Sequence, residues 1–216
     1  MNMSNEFLPD ELPDNPLPIL AEWLQFARDH AQQPNPDAMT LATVTREGHP
    51  NARIVLCKQF NENNGYLTFF TNYNSTKGSE LQGHPFAAAV LHWDRLHRQV
   101  RLQGQVIQSP MAESDAYFNI RPAVSQVGAW ASHQSQPLSS RAQLAAQVQE
   151  ATHQFDNRLI PRPAHWGGFR LWITSLELWV EGPGRVHDRA QWTRAIIPTD
   201  QFNFGGGAWQ ATRLNP

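Results

Sequence analysis

Between Gln99 and Ile107 the chain alternates. Val100, Leu102 and Val106 fall on one parity, and Gln99, Arg101, Gln103 and Gln105 on the other. Successive side chains of a strand point to opposite faces, so this stretch must be a strand with one face in a core. It is the clearest strand signal in the sequence, and the neighbouring segments extend it. Met39–Thr45 runs into a turn at R-E-G-H, and Arg53–Phe60 is followed by the loop signal N-E-N-N-G. Tyr66–Thr71, Phe86–Trp93, Phe169–Trp179, Arg185–Arg194 and Trp209–Leu214 read as further strands.

Helical patterns interrupt them. Asn15 and Pro16 suit a helix cap and first turn, with Leu17, Leu20, Leu24 and Ala27 at helical spacing and an end near His30. Pro34 and Pro36 then break the chain. Ser75 can cap a short helix toward Gln82. Ser109-Pro110 opens another that ends near Arg121, because Pro122 disfavours helix before it. Ser140-Arg-Ala-Gln143 has the form of a capping box, with Leu144, Val148, Ala151 and Phe155 on the face that follows. Ser125–Ser135 and Gly205–Gly207 read as loops. Strands, then helices, then strands argue an α+β chain: an antiparallel sheet or barrel with helices packed on it, not a βαβ array. Residues 1–14, acidic and Pro-rich, read as a flexible lead, and 15–216 as a single domain.

Composition excludes several functions. A net charge of −2 leaves no global footprint for nucleic acid. The single cysteine, Cys57, excludes an internal disulfide and a cysteine-rich zinc site, and fits a reducing compartment. The first residues lack the basic and apolar regions of a signal peptide, and no apolar run has membrane-spanning length, so a cytoplasmic location is expected. The P-loop, dinucleotide-binding, zinc-protease, nucleophile-elbow and EF-hand signatures are absent. The nine histidines do not cluster at metal spacing, so no metal is expected.

The basic residues are more informative. Of 17 lysines and arginines only two are lysines, Lys58 and Lys77, and both fall in candidate anion sites. Ser75-Thr76-Lys77-Gly78 opens a helix, where free N–H groups and a lysine suit a phosphate. Arg53 and Lys58 close the two ends of R-I-V-L-C-K and, in a regular strand, point to opposite faces. Tyr117 and Arg121 share a helix face, and Ser125 lies just beyond it, a grouping suited to a second phosphate. In E-L-W-V-E-G-P-G-R-V-H-D-R, a Gly-Pro-Gly turn separates two strands, which places Arg185, His187 and Arg189 on one strand face with Trp179 across the turn. Two guanidiniums, an imidazole and an indole suit an aromatic anion. Singly, each group also fits an ordinary helix cap, a charged strand end or a solvated hairpin. Together they imply two phosphorylated ligands, or one ligand with two anionic ends.

These segments, in this order, carry a resemblance. R-I-V-L-C-K (Arg53–Lys58), F-F-T-N (Phe69–Asn72), S-T-K-G (Ser75–Gly78), R-Q-V (Arg98–Val100), Y-F-N-I-R-P (Tyr117–Pro122), S-Q-V-G-A-W-A-S-H-Q-S (Ser125–Ser135), W-G-G-F-R (Trp166–Arg170), E-L-W with R-V-H-D-R, and the closing R-L-N-P are similar to the pyridoxine/pyridoxamine 5′-phosphate oxidase family over nearly the whole chain. The resemblance implies a split β-barrel homodimer that binds FMN at its subunit interface and oxidises a vitamin B6 phosphate with oxygen. On that pattern the flavin site comprises Arg53, Ile54, Val55, Leu56, Cys57, Lys58, Phe70, Thr71, Thr76 and Lys77. Gln99, Gln134, Ser135, Trp179 and Arg189 complete it, some from the partner. Lys58, Tyr117, Arg121 and Ser125 would hold the substrate phosphate. Arg185, Val186 and His187 would face the pyridine ring, with Arg185 and His187 at the reacting end.

The sequence departs from the pattern at several points. Thr76 stands where an arginine is usual, which removes one charge from the flavin phosphate. Leu178 and Val180 replace an aromatic residue and a glutamine beside Trp179. An Arg-rich N-terminal cover has no counterpart in the first residues, and 195–208 reads as an insertion. Two other functions remain open at this point: a same-fold FMN oxidase acting on another aromatic acid of the phenazine type, and a non-catalytic binder of FMN or pyridoxal phosphate.

Overall fold

The computed structural model describes residues 7–30, 34–156 and 158–216. Its frame is a nine-stranded sheet in which every pairing is antiparallel: β1 (Ala38–Val44), β2 (Pro50–Leu56), β3 (Gln59–Asn61), β4 (Tyr66–Asn72), β5 (Phe86–Trp93), β6 (Arg98–Gln108), β7 (Trp166–Val180), β8 (Asp188–Thr193) and β11 (Gln210–Leu214). The long β7 organises it. Its first half pairs with β4 and its second half with β8, while β6 runs along its other edge. The path β2-β1-β5-β6-β7-β4 curls until β2 approaches β4, yet no ladder joins those two strands. The result is a split barrel, and the seam between β2 and β4 is its opening.

The alternation from Gln99 appears as expected: Val100, Leu102 and Val106 are buried in the barrel core with Leu41, Phe69, Leu91, Leu171, Leu176 and Trp192. Helix α1 (Leu17–Asp29) buries Leu17, Leu20, Trp23, Leu24 and Ala27 against that core. Asn15 supports its start, accepting the Leu17 N–H at 3.1 Å. Ser75 caps α2 (Thr76–Gly83) by accepting the Gly78 N–H. Gly78 packs so tightly that an added Cβ would lie 2.1 Å from the Tyr73 carbonyl. Leu178 and Val180 point into the core at 0% and 1% exposure, so these two departures are packing changes behind the sheet and do not touch a ligand surface.

Five sequence expectations need correction. Arg53–Phe60 is not one strand. The chain leaves β1 and joins β4 at Cys57-Lys58, where Cys57 N–H donates to Asp37 and Lys58 N–H to Thr68, so the strand breaks. Ser125–Ser135 is not wholly a loop. After α3 (Met111–Asn119) comes α4 (Ala123–Ala131), followed by α5 (Arg141–Gln154). Pro122 therefore begins a helix as well as ending one, and the Gly and β-branched residues of α4 hid its period. The strand expected from Arg185 begins only at Asp188; Pro183–Arg185 form a 3₁₀ turn. The Gly205–Gly207 loop contributes two residues to β10 (Phe204–Gly206), paired with β9 (Ile196–Pro198); Phe204 of this hairpin packs against Tyr66 and Trp172. Finally, the lead expected to be flexible is docked where it is described. Leu8 is buried, its N–H donates to Asp188 at 2.7 Å, and Trp192 Nε1–H donates to the Pro13 carbonyl. Residues 1–6 of that lead lie outside the described residues.

Candidate active site

The seam of the barrel opens into a cavity of about 530 Å³. The edge strand β2 and the residue after its break contribute Ile54, Val55, Leu56 and Lys58, and β4 contributes Phe70, Thr71 and Asn72. Lys77 enters from α2; Tyr117, Arg121 and Ser125 enter from α3, the turn after it and α4. One long-range fold thus brings the two separately predicted phosphate groupings into a single chamber.

Its electrostatics are one-sided. Lys58, Lys77 and Arg121 line the cavity, and none of its lining residues is a carboxylate. Lys77 is only 8% exposed, and its ammonium donates to three neutral oxygens: Thr71 Oγ1 at 3.1 Å, Ser75 Oγ at 3.3 Å and Gln134 Oε1 at 3.1 Å. Burial, and secondarily the nearby Arg53 charge, lowers its pKa. Arg121 is lowered too, again by burial, and its Nη1 is buried without a hydrogen-bond partner. A buried cation lacking a counter-charge is costly, and an anionic ligand would supply what is missing.

The far wall is aromatic. Phe70 stacks on Tyr117 at 4.0 Å between centroids and on Trp166 at 5.6 Å, and the Arg121 guanidinium lies 4.4 Å from the Trp166 ring. Trp166 also lines the cavity, although it was not among the predicted site residues; its only sequence signal was its place in W-G-G-F-R.

Several predicted residues lie elsewhere. Cys57 is fully buried in the core, its thiol pKa raised to about 12 by burial, so only its backbone can face the seam. Arg53 stands behind the cavity wall. Its guanidinium donates to Glu80 at 3.0 Å, to Thr43 and to the Leu41 carbonyl, and Glu80 also accepts from Asn51 and Thr43. Glu80, which sequence reasoning passed over, thus neutralises Arg53 and leaves Lys77 as the charge that enters the chamber. Thr76 is exposed. Ser135 lines a neighbouring cavity of about 530 Å³ that shares Ser132 and Gln134 with the first.

The remaining candidates form a second group at the other end of the sheet. Gln99, Trp179 and Arg189 are register neighbours on β6, β7 and β8. Trp179 packs on His187 at 4.6 Å between centroids. The one strand face expected for Arg185, His187 and Arg189 does not exist, because only Arg189 lies in a strand. Arg185 sits in the turn with φ 65°, a left-handed conformation that costs a non-glycine residue roughly 1–2 kcal/mol. Arg185 and Val186 are exposed. Arg189 donates from Nε and Nη2 to Glu177 Oε1 at 3.0 and 2.8 Å, and from Nη1 to the Asn215 carbonyl at 2.9 Å. Glu177, 4% exposed, also receives Arg101 at 2.7 Å. No residue of this group lines the main cavity of its own chain.

The chain is thus a split-barrel protein with a cationic, carboxylate-free seam, and comparison with known proteins is specific. Residues 27–155 match the pyridoxamine 5′-phosphate oxidase family, and residues 166–216 match the pyridoxine 5′-phosphate oxidase C-terminal dimerisation region. The chain belongs to the pyridoxamine 5′-phosphate oxidase family. It is 44% identical over 206 residues to the pyridoxine/pyridoxamine 5′-phosphate oxidase of Paraburkholderia phytofirmans, covering 95% of this chain and 91% of the relative. It is 45% identical to the same-named protein of Synechocystis, covering 95% and 90%. Among solved structures, PhzG from Burkholderia lata in complex with tetrahydrophenazine-1-carboxylic acid is similar at TM-score 0.85 and 28% identity, over 99% of this chain and all of that one. An FMN-binding protein from Nostoc punctiforme shares the fold at TM-score 0.67 and 18% identity, over 92% and 96%. Among the described residues no helix is long and apolar enough to cross a membrane, and no group of three or more potential ligands is placed to hold a metal ion.

Proposed function

We propose that this protein is an FMN-dependent oxidase converting pyridoxamine 5′-phosphate or pyridoxine 5′-phosphate to pyridoxal 5′-phosphate, with oxygen as acceptor and hydrogen peroxide as co-product; the amine also takes up water and releases ammonia. The observation that carries the reading is the seam cavity, where three cations converge without a carboxylate. FMN and the substrate each bring a phosphate, and the cavity has a lysine for one and an Arg-Lys-Tyr-Ser grouping for the other.

Lys77, with Thr71 and Gln134 beside it, fits the flavin phosphate; Arg53, paired with Glu80, stands behind that end. Ile54, Val55 and Leu56 present an exposed strand edge along which a flat ring system can lie. Lys58, Tyr117, Arg121 and Ser125 hold the substrate phosphate, and their binding energy is used far from the reacting carbon to orient it. FMN, when bound, would supply the redox chemistry that links two-electron oxidation at C4′ to reduction of oxygen. Arg185 and His187 act at the pyridine ring. Gln99, Trp179 and Arg189 lie outside their own chain's cavity, so they serve the flavin of the partner in a homodimer with shared sites. No strong general base is required of the protein; orientation and the fields of Arg185 and His187 carry its share.

A second reading has a specific observation behind it: the likeness to a phenazine-complexed protein. A substrate with a carboxylate and no phosphate would leave Arg121, Lys58, Tyr117 and Ser125 without their ligand, which favours the B6 phosphates. The deciding experiment records the visible spectrum of the purified protein and assays peroxide with each B6 phosphate and with a reduced phenazine carboxylate. A yellow protein that releases peroxide only with the phenazine compound overturns the reading, and a yellow protein inert to all three is a binder.

A further inference from the structure

The loop between β7 and β8 holds an arrangement that specifies how His187 carries its proton. The Gly182 N–H donates to His187 Nδ1 at 3.2 Å. A nitrogen that accepts a hydrogen bond from an amide has its lone pair free and no proton of its own, so in the neutral ring the proton resides on Nε2. The ring is held in that pose on a second side by the Trp179 indole. The donor is built in: Gly182 is buried, and a Cβ there would lie 1.9 Å from the Val186 carbonyl, so only glycine lets the chain close tightly enough for the contact.

We propose that His187 serves the reaction as a neutral hydrogen-bond donor through Nε2–H, with Gly182 as the positioning residue that sets this tautomer. The ligand group it takes is an acceptor on the aromatic ring, a phenolate or carboxylate oxygen, beside the permanent charge of Arg185. The alternative role, an Nε2 lone pair that removes a proton from the substrate, needs the opposite tautomer and the loss of the Gly182 contact. This deepens the oxidase reading and rests on it for the identity of the acceptor; the tautomer itself does not.

Two measurements test it. The first needs no substrate. In the ¹⁵N-histidine-labelled full-length protein at mildly alkaline pH, the His187 signals, assigned by their absence in His187→Gln, should show a protonated Nε2 and an unprotonated Nδ1. Gly182→Ala should lose that pattern and give mixed tautomers. An Nδ1-protonated ring in the wild type overturns the proposal, whatever the enzyme does. The second uses turnover with pyridoxamine phosphate. A glutamine amide reaches the position of Nε2, and an asparagine amide that of Nδ1. His187→Gln should therefore retain about tenfold more turnover than His187→Asn, the size of one hydrogen bond. Equal or reversed activities overturn the donor role even if the tautomer is as stated. Absence of turnover in the wild type sinks the oxidase reading and leaves the tautomer result standing.

Discussion

The seam cavity and the β7–β8 hairpin are both cationic, yet they are built in opposite ways. In the cavity, buried Lys77 and half-buried Arg121 sit among neutral groups and aromatic rings with no carboxylate on the lining. In the hairpin, Arg189 is already clamped by Glu177 and the Asn215 carbonyl, while Arg185 stands exposed in a strained turn. The first region keeps its cations free of any carboxylate on the cavity lining. The second is held where Glu177 clamps Arg189 and exposed at Arg185, and none of its residues lines the seam cavity of its own chain.

The contrast breaks or holds on the hairpin first. Arg185→Leu should lower turnover by about 10²- to 10³-fold, the scale of losing one charge aimed at the reacting ring, while the protein stays yellow. Arg189→Leu should instead release flavin from the dimer. If Arg185→Leu goes colourless and Arg189→Leu merely slows, the two arginines have exchanged roles.

In the cavity, Lys77→Ala should weaken FMN binding by about 10- to 150-fold, the range for a charge-assisted contact, and titration of flavin fluorescence with the apoprotein reads it directly. Unchanged affinity would place the flavin phosphate elsewhere. Arg121→Ala should raise KM for phosphorylated substrate by about 10- to 100-fold and erase most of the preference over unphosphorylated pyridoxine. Preference surviving intact would free Arg121 from that phosphate.

Two smaller effects sharpen the boundary between cavity and core. The Cys57 thiol is raised from an ordinary 9.0 to about 12 by burial. The unfolded chain therefore ionises first as pH rises. This contribution to stability is fully present below about pH 9 and is lost between there and 12. Wild type should lose roughly 1 kcal/mol per pH unit in that window relative to Cys57→Ala, measured by urea unfolding. Parallel alkaline profiles would mean the thiol is not buried. Thr76→Arg, at the exposed first residue of α2, should tighten FMN only about two- to fivefold and lose the gain at high salt. A salt-independent gain of 100-fold would show that position 76 faces the phosphate directly.

Particular elements show what was legible. The strand at Gln99–Ile107 and the caps at Ser75 and Ser140 were visible, since each depends on spacing within a few residues; Gln143 N–H donates to Ser140 Oγ at 3.1 Å, while the return contact of the expected box shifts by one residue, with Ser139 N–H donating to Gln143 Oε1 at 2.9 Å. The Tyr117/Arg121/Ser125 grouping was visible for the same reason. Helix α4 was not, because its small residues and Gly128 carry no strong period. Glu80 and Glu177 were not, because their partners are 27 and 12 residues away and only a folded sheet brings them together.

By itself the sequence determined the antiparallel frame, the positions of its caps and turns, the family, and the residue types able to meet two phosphates. The family followed from the resemblance of its motifs taken in order; the rest follows from local periodicity, which one chain's covalent geometry imposes over a turn or a strand. Tertiary structure alone decided that both phosphate groupings share one seam, and that Arg53 is neutralised while Lys77 is not. It also decided that Cys57 faces the core and that the hairpin bends into a 3₁₀ turn before Asp188. Each of those turns on which groups lie within a few ångströms across the barrel, and on how much water is left between them. Electrostatic and burial energies depend on such distances, which residue order does not contain.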